Sequence, residues 1–339
     1  MKAIVYEEPR EFALTDVGDP SPGPGEVRLR TRVAGLCGTD VHLHEGEFFP
    51  VYPLTPGHEI VGEVDLLGDG VTGLAPGDLV ALDNMISCGN CDACRRARPA
   101  YCRTLRALGV TDPGGFAEYV VAPAVKCHPA KGLTPETAVF AEPTACAIHG
   151  LDVLGARPGS DILVFGAGPS GIVLAQLLRH TGGVRVTVAA PTGFKLQLAR
   201  DYGIDETVLV DPDDPSGSQA ALRRLAPDGF DVVVDATGAL GVLESCLGLT
   251  RDGGTMFVYG MATEKAVLPV NPYEIFRREL TIKGSFSQSF SFDRAMLALE
   301  TGAVRTEGLV THHFALDQYG TAIETVRSDH DCLKAVMVM

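Results

Sequence analysis

Four cysteines fall close together as Cys88, Cys91, Cys94 and Cys102, a C-x2-C-x2-C-x7-C run. Thiolates in that number and at that spacing can close on one tetrahedral Zn2+ and staple a short excursion of chain, the pattern of a structural site. Two other readings compete: a zinc ribbon that grips nucleic acid, and a set of unligated buried cysteines. Arg95, Arg96, Arg98, Arg103 and Arg106 border the motif, but the whole chain sets 28 Lys and Arg against 43 Asp and Glu, a formal charge of −15. A field of that sign repels phosphate backbones and anionic lipid, so neither nucleic acid nor a membrane is an expected partner.

A second group of candidate ligands is dispersed: Cys37, then His58 and Glu59, then Glu142. One thiolate, one imidazole and one carboxylate can take three corners of a zinc ion and leave the fourth for water or substrate, the open arrangement of a catalytic site. Cys and Glu anions together neutralise Zn2+. Binding both glutamates would leave a net −1 and weaken the Lewis acid, so one is expected in the coordination sphere at a time. Read singly, Cys37 or His58 is an ordinary packing residue.

Gly166, Gly168, Pro169, Ser170 and Gly171 form a G-x-G-x-x-G run that follows an apolar stretch at 161–165 and opens an apolar helical pattern. Strand, glycines and helix in that order let backbone approach a pyrophosphate at a helix N-terminus, which makes this a dinucleotide site rather than a bare turn. An acidic residue normally closes the second strand and holds the adenosine ribose. The chain there reads Ala189, Ala190, Pro191, Thr192, with no carboxylate. A ribose 2′-phosphate is then tolerable, with Thr192, Lys195, Arg185 and Arg200 each either a candidate partner or, read singly, a solvated surface group, so NADP(H) is expected over NAD(H).

The elements that must position these groups change in texture along the chain. Residues 1–150 hold short alternating runs, at 27–33, 60–66, 78–82 and 117–121, punctuated by Gly and Pro, which predicts a partly open β-barrel or sandwich. From 151 to 284, strands at 161–165, 184–189, 207–210, 231–235 and 255–259 alternate with helical patterns at 169–180 and 194–202, a βαβ series with a parallel sheet. A helix at 292–301 and an apolar strand at 334–339 could return to the first domain. Two domains suit 339 residues, and 45% hydrophobic residues are enough for real cores. The first ten residues lack an apolar signal core, which predicts a soluble cytoplasmic protein in which clustered cysteines bind metal rather than form disulfides.

Taken together the motifs resemble the zinc-dependent medium-chain alcohol and polyol dehydrogenases. The likeness rests on Cys37-Gly-Thr-Asp40, Gly57-His-Glu59-Ile-Val-Gly62, Val71 with Gly77-Asp78-Leu-Val80, the four-cysteine lobe at 88–102, Gly115-Phe-Ala-Glu-Tyr119, Ala141-Glu-Pro143, the 166–171 glycine run and Arg278-Glu-Leu-Thr-Ile-Lys-Gly284. It implies an α/β protein with a GroES-like β-rich catalytic domain over 1–150 and 285–339, a doubly wound Rossmann domain over 151–284, and an active site in the cleft between them. It further implies that Cys37, His58 and a glutamate hold catalytic zinc and that Asp40 supports His58. Thr39 and His42 would carry the alcohol proton outward through the coenzyme ribose. The coenzyme set that goes with this reading is Gly166, Gly168, Pro169, Ser170, Gly171, Ala190, Thr192, Lys195 and Ser285.

A glutamate, Glu142, stands where some members place a cysteine ligand, so the chain resembles the sorbitol, arabinitol or glucose dehydrogenase branch, in which either Glu59 or Glu142 can be the ligand. Ser285-Phe-Ser-Gln288 lacks the arginine that sorbitol dehydrogenases place near the polyol. The chemistry implied is Lewis-acid activation of an alcohol with hydride transfer to nicotinamide. The expected substrate is a secondary alcohol of a polyol or sugar and the expected assembly a homodimer or homotetramer. A simple secondary-alcohol dehydrogenase or ketone reductase is the alternative, and a dinucleotide-binding redox sensor without turnover is the alternative from another class. Cys146, one turn after Glu142, could face the nicotinamide or be a small core residue.

Overall fold

The computed structural model describes all 339 residues, which cluster into two compact units. The first comprises Met1–Ala145, Gln288–Gly302 and Thr306–Met339; the second comprises Cys146–Ser287 and Ala303–Arg305. The chain leaves the first unit inside the helix Ala141–Leu154. Residues 303–305 join the second unit because the Gln176 amide grips the Arg305 backbone, accepting its N–H at 2.9 Å and donating to its carbonyl at 3.1 Å. No helix is long and apolar enough to cross a membrane.

The first unit is built on a seven-stranded mixed sheet. Its path runs Val310–Phe314, Lys334–Val338, Glu26–Leu36, Glu59–Leu67, Leu79–Leu82, Cys127–Pro129, with Tyr119–Pro123 also pairing Glu26–Leu36. Alternation along Glu26–Leu36 sends Val27, Leu29, Thr31 and Val33 inward, as a strand with one wet face requires. Val27 and Leu29 pack with Ile60, Val64, Val80, Leu82 and Val120 in one core. Ala34 and Leu36 belong to a second core with Ile4, Tyr6, Phe116, Tyr319 and Met337.

Two registers of this sheet decide what meets at its end. Gly35 faces Glu59 across one antiparallel pair, and Leu36 faces Ala335 across another. Cys37, Glu59 and Lys334 therefore leave three adjacent strand ends together. A side chain at position 35 would overlap the Glu59 carboxylate, so glycine there makes the space in which that carboxylate lies.

The second unit has six parallel strands in the spatial order Glu206–Leu209, Arg185–Ala190, Asp161–Phe165, Phe230–Asp235, Thr250–Val258, Thr281–Gly284. The central strands are continuous apolar runs because both faces are covered. Helices Pro169–Arg179, Gly193–Asp201, Pro215–Leu225 and Leu240–Leu249 follow the first four strands in chain order, the doubly wound plan anticipated from the sequence. Helix 215–225 carries a plain start signal, Asp214 accepting the Gly217 N–H ahead of Pro215, whereas helix 240–249 has no side-chain cap; the sequence reading places neither.

Candidate active site and metal centres

Cys37 caps the helix Gly38–His44: its Sγ accepts the Thr39 N–H at 3.2 Å, while the Asp40 carboxylate accepts the Cys37 N–H at 2.9 Å, a reciprocal capping box. The other oxygen of Asp40 stands 3.6 Å from His58 Nδ1, so one buried carboxylate steadies both the thiolate and the imidazole. His58 Nε2 and Cys37 Sγ are 3.4 Å apart. Sulfur and nitrogen ligands of one tetrahedral zinc stand about 3.5 Å apart, so the pair fits a shared ion. A Glu59 carboxylate oxygen completes the group, with all three donor atoms within 4.8 Å of one another.

The electrostatics agree with a cation at this point. Burial alone lowers the His58 pKa, but the Cys37 thiolate and the Asp40 carboxylate outweigh it and hold the ring well above its ordinary value. Two acidic side chains set against one buried imidazole suit a bound cation. Glu142, also buried, lies in the first turn of Ala141–Leu154 and outside the three-residue cluster. Its charge acts on Lys334. Lys334, which the sequence reading passes over as the start of an apolar strand, is buried and ion-paired with Glu59.

Cys88, Cys91, Cys94 and Cys102 form the other cluster, again with donor atoms within 4.8 Å. Sulfur separations of 3.6 Å for Cys91–Cys94 and 4.0 Å for Cys88–Cys94 bracket the roughly 3.8 Å of tetrahedral zinc thiolates. Backbone N–H groups point at the sulfurs, from Cys91 to Cys88 at 3.4 Å and from Cys88 to Cys102 at 3.3 Å. Backbone N–H groups lower the pKa of Cys88 (Asn90, then Cys91), of Cys91 (Cys94 and Arg103) and of Cys102 (Cys88, then Thr104), whereas desolvation and then its sulfur neighbours push Cys94 up to about 11.

In the second unit Gly168 caps the helix that Pro169 opens, with Ser170 and Gly171 in its first turn. Gly166 has φ +108°, and a Cβ at Gly171 would overlap the Gly166 carbonyl, whereas one at Gly168 would meet nothing within 4 Å. The turn is closed by two glycines and opens outward at the third, where a pyrophosphate needs bare backbone. Ala190 ends its strand buried, Thr192 precedes the helix Gly193–Asp201 without capping it, and Lys195 Nζ lies 5.7 Å from the Phe194 ring. Arg185 and Arg200 follow the second of the two readings the sequence offers, surface charges held by local partners. Arg185 begins the strand that Ala190 ends, roughly 16 Å away, and pairs with Asp161. Arg200 is bound to Gln197 and Thr207. Ser285 has a buried hydroxyl without a hydrogen-bond partner, and Cys146 is half-buried at the start of the second unit.

Comparison with known proteins agrees with this geometry. Residues 23–132 match the alcohol dehydrogenase GroES-like domain and residues 169–301 the zinc-binding dehydrogenase domain. The chain is 42% identical to D-arabinitol dehydrogenase 1 of Uromyces fabae over 335 residues, covering 98% of this chain and 96% of that one. It belongs to the zinc-dependent medium-chain dehydrogenases. As a member of that family it is a zinc-dependent oxidoreductase that uses a nicotinamide dinucleotide and acts on CH–OH donors. Two solved structures, one of a zinc-binding dehydrogenase and one of an alcohol dehydrogenase, superimpose on it over 100% of this chain and 99% of their own. One, from Sinorhizobium meliloti 1021, was solved with NADP (TM-score 0.92, 32% identity); the other, rspB from Escherichia coli CFT073, was solved with NADH (TM-score 0.90, 29% identity).

Proposed function

We propose that this dehydrogenase oxidises a secondary alcohol carbon of a polyol or sugar, with NADP favoured over NAD, and works as a homodimer or homotetramer. The observation that carries the reading is the convergence of Cys37, His58 and Glu59 on one point, with Thr39 on the helix that Cys37 caps. Similarity to a D-arabinitol dehydrogenase over nearly the whole chain supports the polyol class.

In this reading Cys37, His58 and Glu59 hold the catalytic zinc, Glu142 stands in reserve beside Lys334, and Cys88, Cys91, Cys94 and Cys102 hold the structural zinc. A zinc ion at the first site supplies Lewis acidity to the alcohol oxygen, and a nicotinamide supplies the hydride acceptor. Asp40 holds His58 and the Cys37 backbone in place. Thr39 Oγ accepts the hydroxyl proton and passes it outward, and His42, one helical turn further on, is its outer acceptor. Gly166, Gly168, Pro169, Ser170 and Gly171 cradle the pyrophosphate, and Ser285 lies on the coenzyme side. Ala190, with no charge to repel a 2′-phosphate, and Thr192 and Lys195, with donors for it, support NADP, as does the coenzyme of the Sinorhizobium protein. The NADH in the Escherichia coli protein supports the other choice, so the preference rests on the local residues.

The test is kcat/KM of the zinc-loaded enzyme across five- and six-carbon polyols, their keto sugars and simple secondary alcohols, with both coenzymes. Polyols with NADP should lead. A clear lead for simple alcohols such as 2-propanol would replace the polyol reading with that of a general secondary-alcohol dehydrogenase.

A further inference from the structure

The closest polar contact of the 38–44 helix joins two side chains that the metal clusters do not use. Beyond His44 the helix closes in a Schellman turn: the Gly46 N–H donates to the Leu43 carbonyl at 3.0 Å and the Glu47 N–H to the His42 carbonyl at 2.8 Å. Gly46 takes φ +82°, which is why glycine stands there. In this motif the two residues joined by the outer hydrogen bond usually also touch through apolar side chains. Here they are a carboxylate and an imidazole, Glu47 Oε2 lying 2.6 Å from His42 Nδ1, with 24% and 22% of the side chains exposed.

The segment that follows is held at some cost. Phe48 and Phe49 both adopt left-handed backbone, φ +68° and +48°, a conformation that aromatic residues rarely keep unless their surroundings impose it. Their rings stack with centroids 4.6 Å apart, and Phe48 packs on the cluster of Leu43, Ala107 and Val110. The turn on one side and this packing on the other fix the place at which Glu47 returns to His42.

We propose that Glu47 is the positioning residue of His42: it accepts the Nδ1 proton, which leaves Nε2 as the ring's only acceptor. The proposal rests on the reading that Thr39 and His42 conduct the alcohol proton. A proton leaving the substrate hydroxyl enters at Thr39 Oγ, whose own proton is passed on through the coenzyme ribose hydroxyls to the Nε2 lone pair of His42. The Nδ1 proton stays on its hydrogen bond to Glu47, whose negative charge faces the imidazolium that forms. The Nε2 proton then passes to water. With glutamine at 47 the amide N–H can donate to Nδ1, the ring's own proton moves to Nε2, and the acceptor is closed.

The experiment is a double-mutant cycle on the zinc-loaded enzyme, using the best alcohol and coenzyme of the panel above. His42→Ala should lower kcat on the order of tenfold, less than the ~10²–10⁴-fold of a full general-base step because water can stand in for an outer relay. Glu47→Gln should lower kcat by a similar factor with KM for the alcohol within about twofold, and the double variant should be no slower than His42→Ala alone. Glu47→Asp, which keeps the charge with a shorter reach, should recover part of kcat when His42 is present and none when it is not. An equal loss from Glu47→Gln with and without His42 would show that Glu47 merely supports the turn and would overturn the proposal. So would wild-type kcat in Glu47→Gln beside a slow His42→Ala, which leaves the relay standing. Wild-type kcat in His42→Ala would remove the relay and this proposal together.

Discussion

The Lys334 ammonium is ion-paired with the Glu59 carboxylate inside the protein, with 3% and 2% of the two side chains exposed. Burial disfavours the charge on Lys334, but the anions Glu59, Cys37 and Glu142 overcome that and raise its pKa above the usual lysine value. The carboxylate thus already has a cation, and a metal beside Cys37 and His58 would be its second. Lys334→Met should therefore cost the metal-free protein about 3–5 kcal/mol, because it strands a buried carboxylate, and distinctly less once zinc is loaded. Denaturant unfolding of wild type and variant, each with and without zinc, measures both losses. Equal losses would mean that Glu59 does not share its charge with the metal.

Metal content separates the two clusters. The purified enzyme should hold close to two zinc ions per chain, and Cys94→Ser and Cys37→Ser should each bring that to about one. The consequences should differ: Cys94→Ser lowers the melting temperature because metal binding there is coupled to folding of the lobe, whereas Cys37→Ser abolishes turnover in a folded chain. Substantial activity in Cys37→Ser would end its assignment as a ligand.

Thr39→Val removes a hydroxyl at nearly constant shape. Turnover should fall by ~10²–10⁴-fold, with the circular dichroism spectrum and zinc content of the wild type. A loss under tenfold would place the proton route elsewhere.

At the end of the second Rossmann strand, Ala190→Asp should restore an acceptor for the ribose diol and repel a 2′-phosphate. The ratio of kcat/KM for NADP to that for NAD should fall by at least about tenfold, the equivalent of roughly 1.4 kcal/mol. An unchanged ratio would show that the loop at Pro191 carries the ribose away from position 190.

Local pattern was enough for much of this molecule. The four-cysteine lobe is legible because its ligands lie within one short excursion, and the glycine run because strand, turn and helix are contiguous. The Cys37, His58 and Glu59 cluster is different: Cys37 and Glu59 meet through the pairing of Gly35 with Glu59, and Lys334 arrives through the pairing of Leu36 with Ala335. Register between distant strands is not written in either segment alone, so the choice between Glu59 and Glu142 stayed open and Lys334 went unnoticed. For Arg185 the choice between phosphate partner and surface charge turns on the strand itself, which carries its two ends apart and leaves Arg185 with Asp161. Glu47 is not legible in the sequence because a Schellman turn, itself set by the 38–44 helix, brings it back to His42 where that motif normally makes an apolar contact.

The most direct test of the account is the rate of coenzyme reduction with the best alcohol of the substrate panel by the wild-type enzyme as made, after chelation of the weakly held metal, and after zinc is restored. Chelation should abolish the rate and zinc should bring it back, while Cys37→Ser stays inactive throughout. A rate that survives with the metal gone, shown by elemental analysis of the same sample, would contradict catalysis at the Cys37, His58 and Glu59 site.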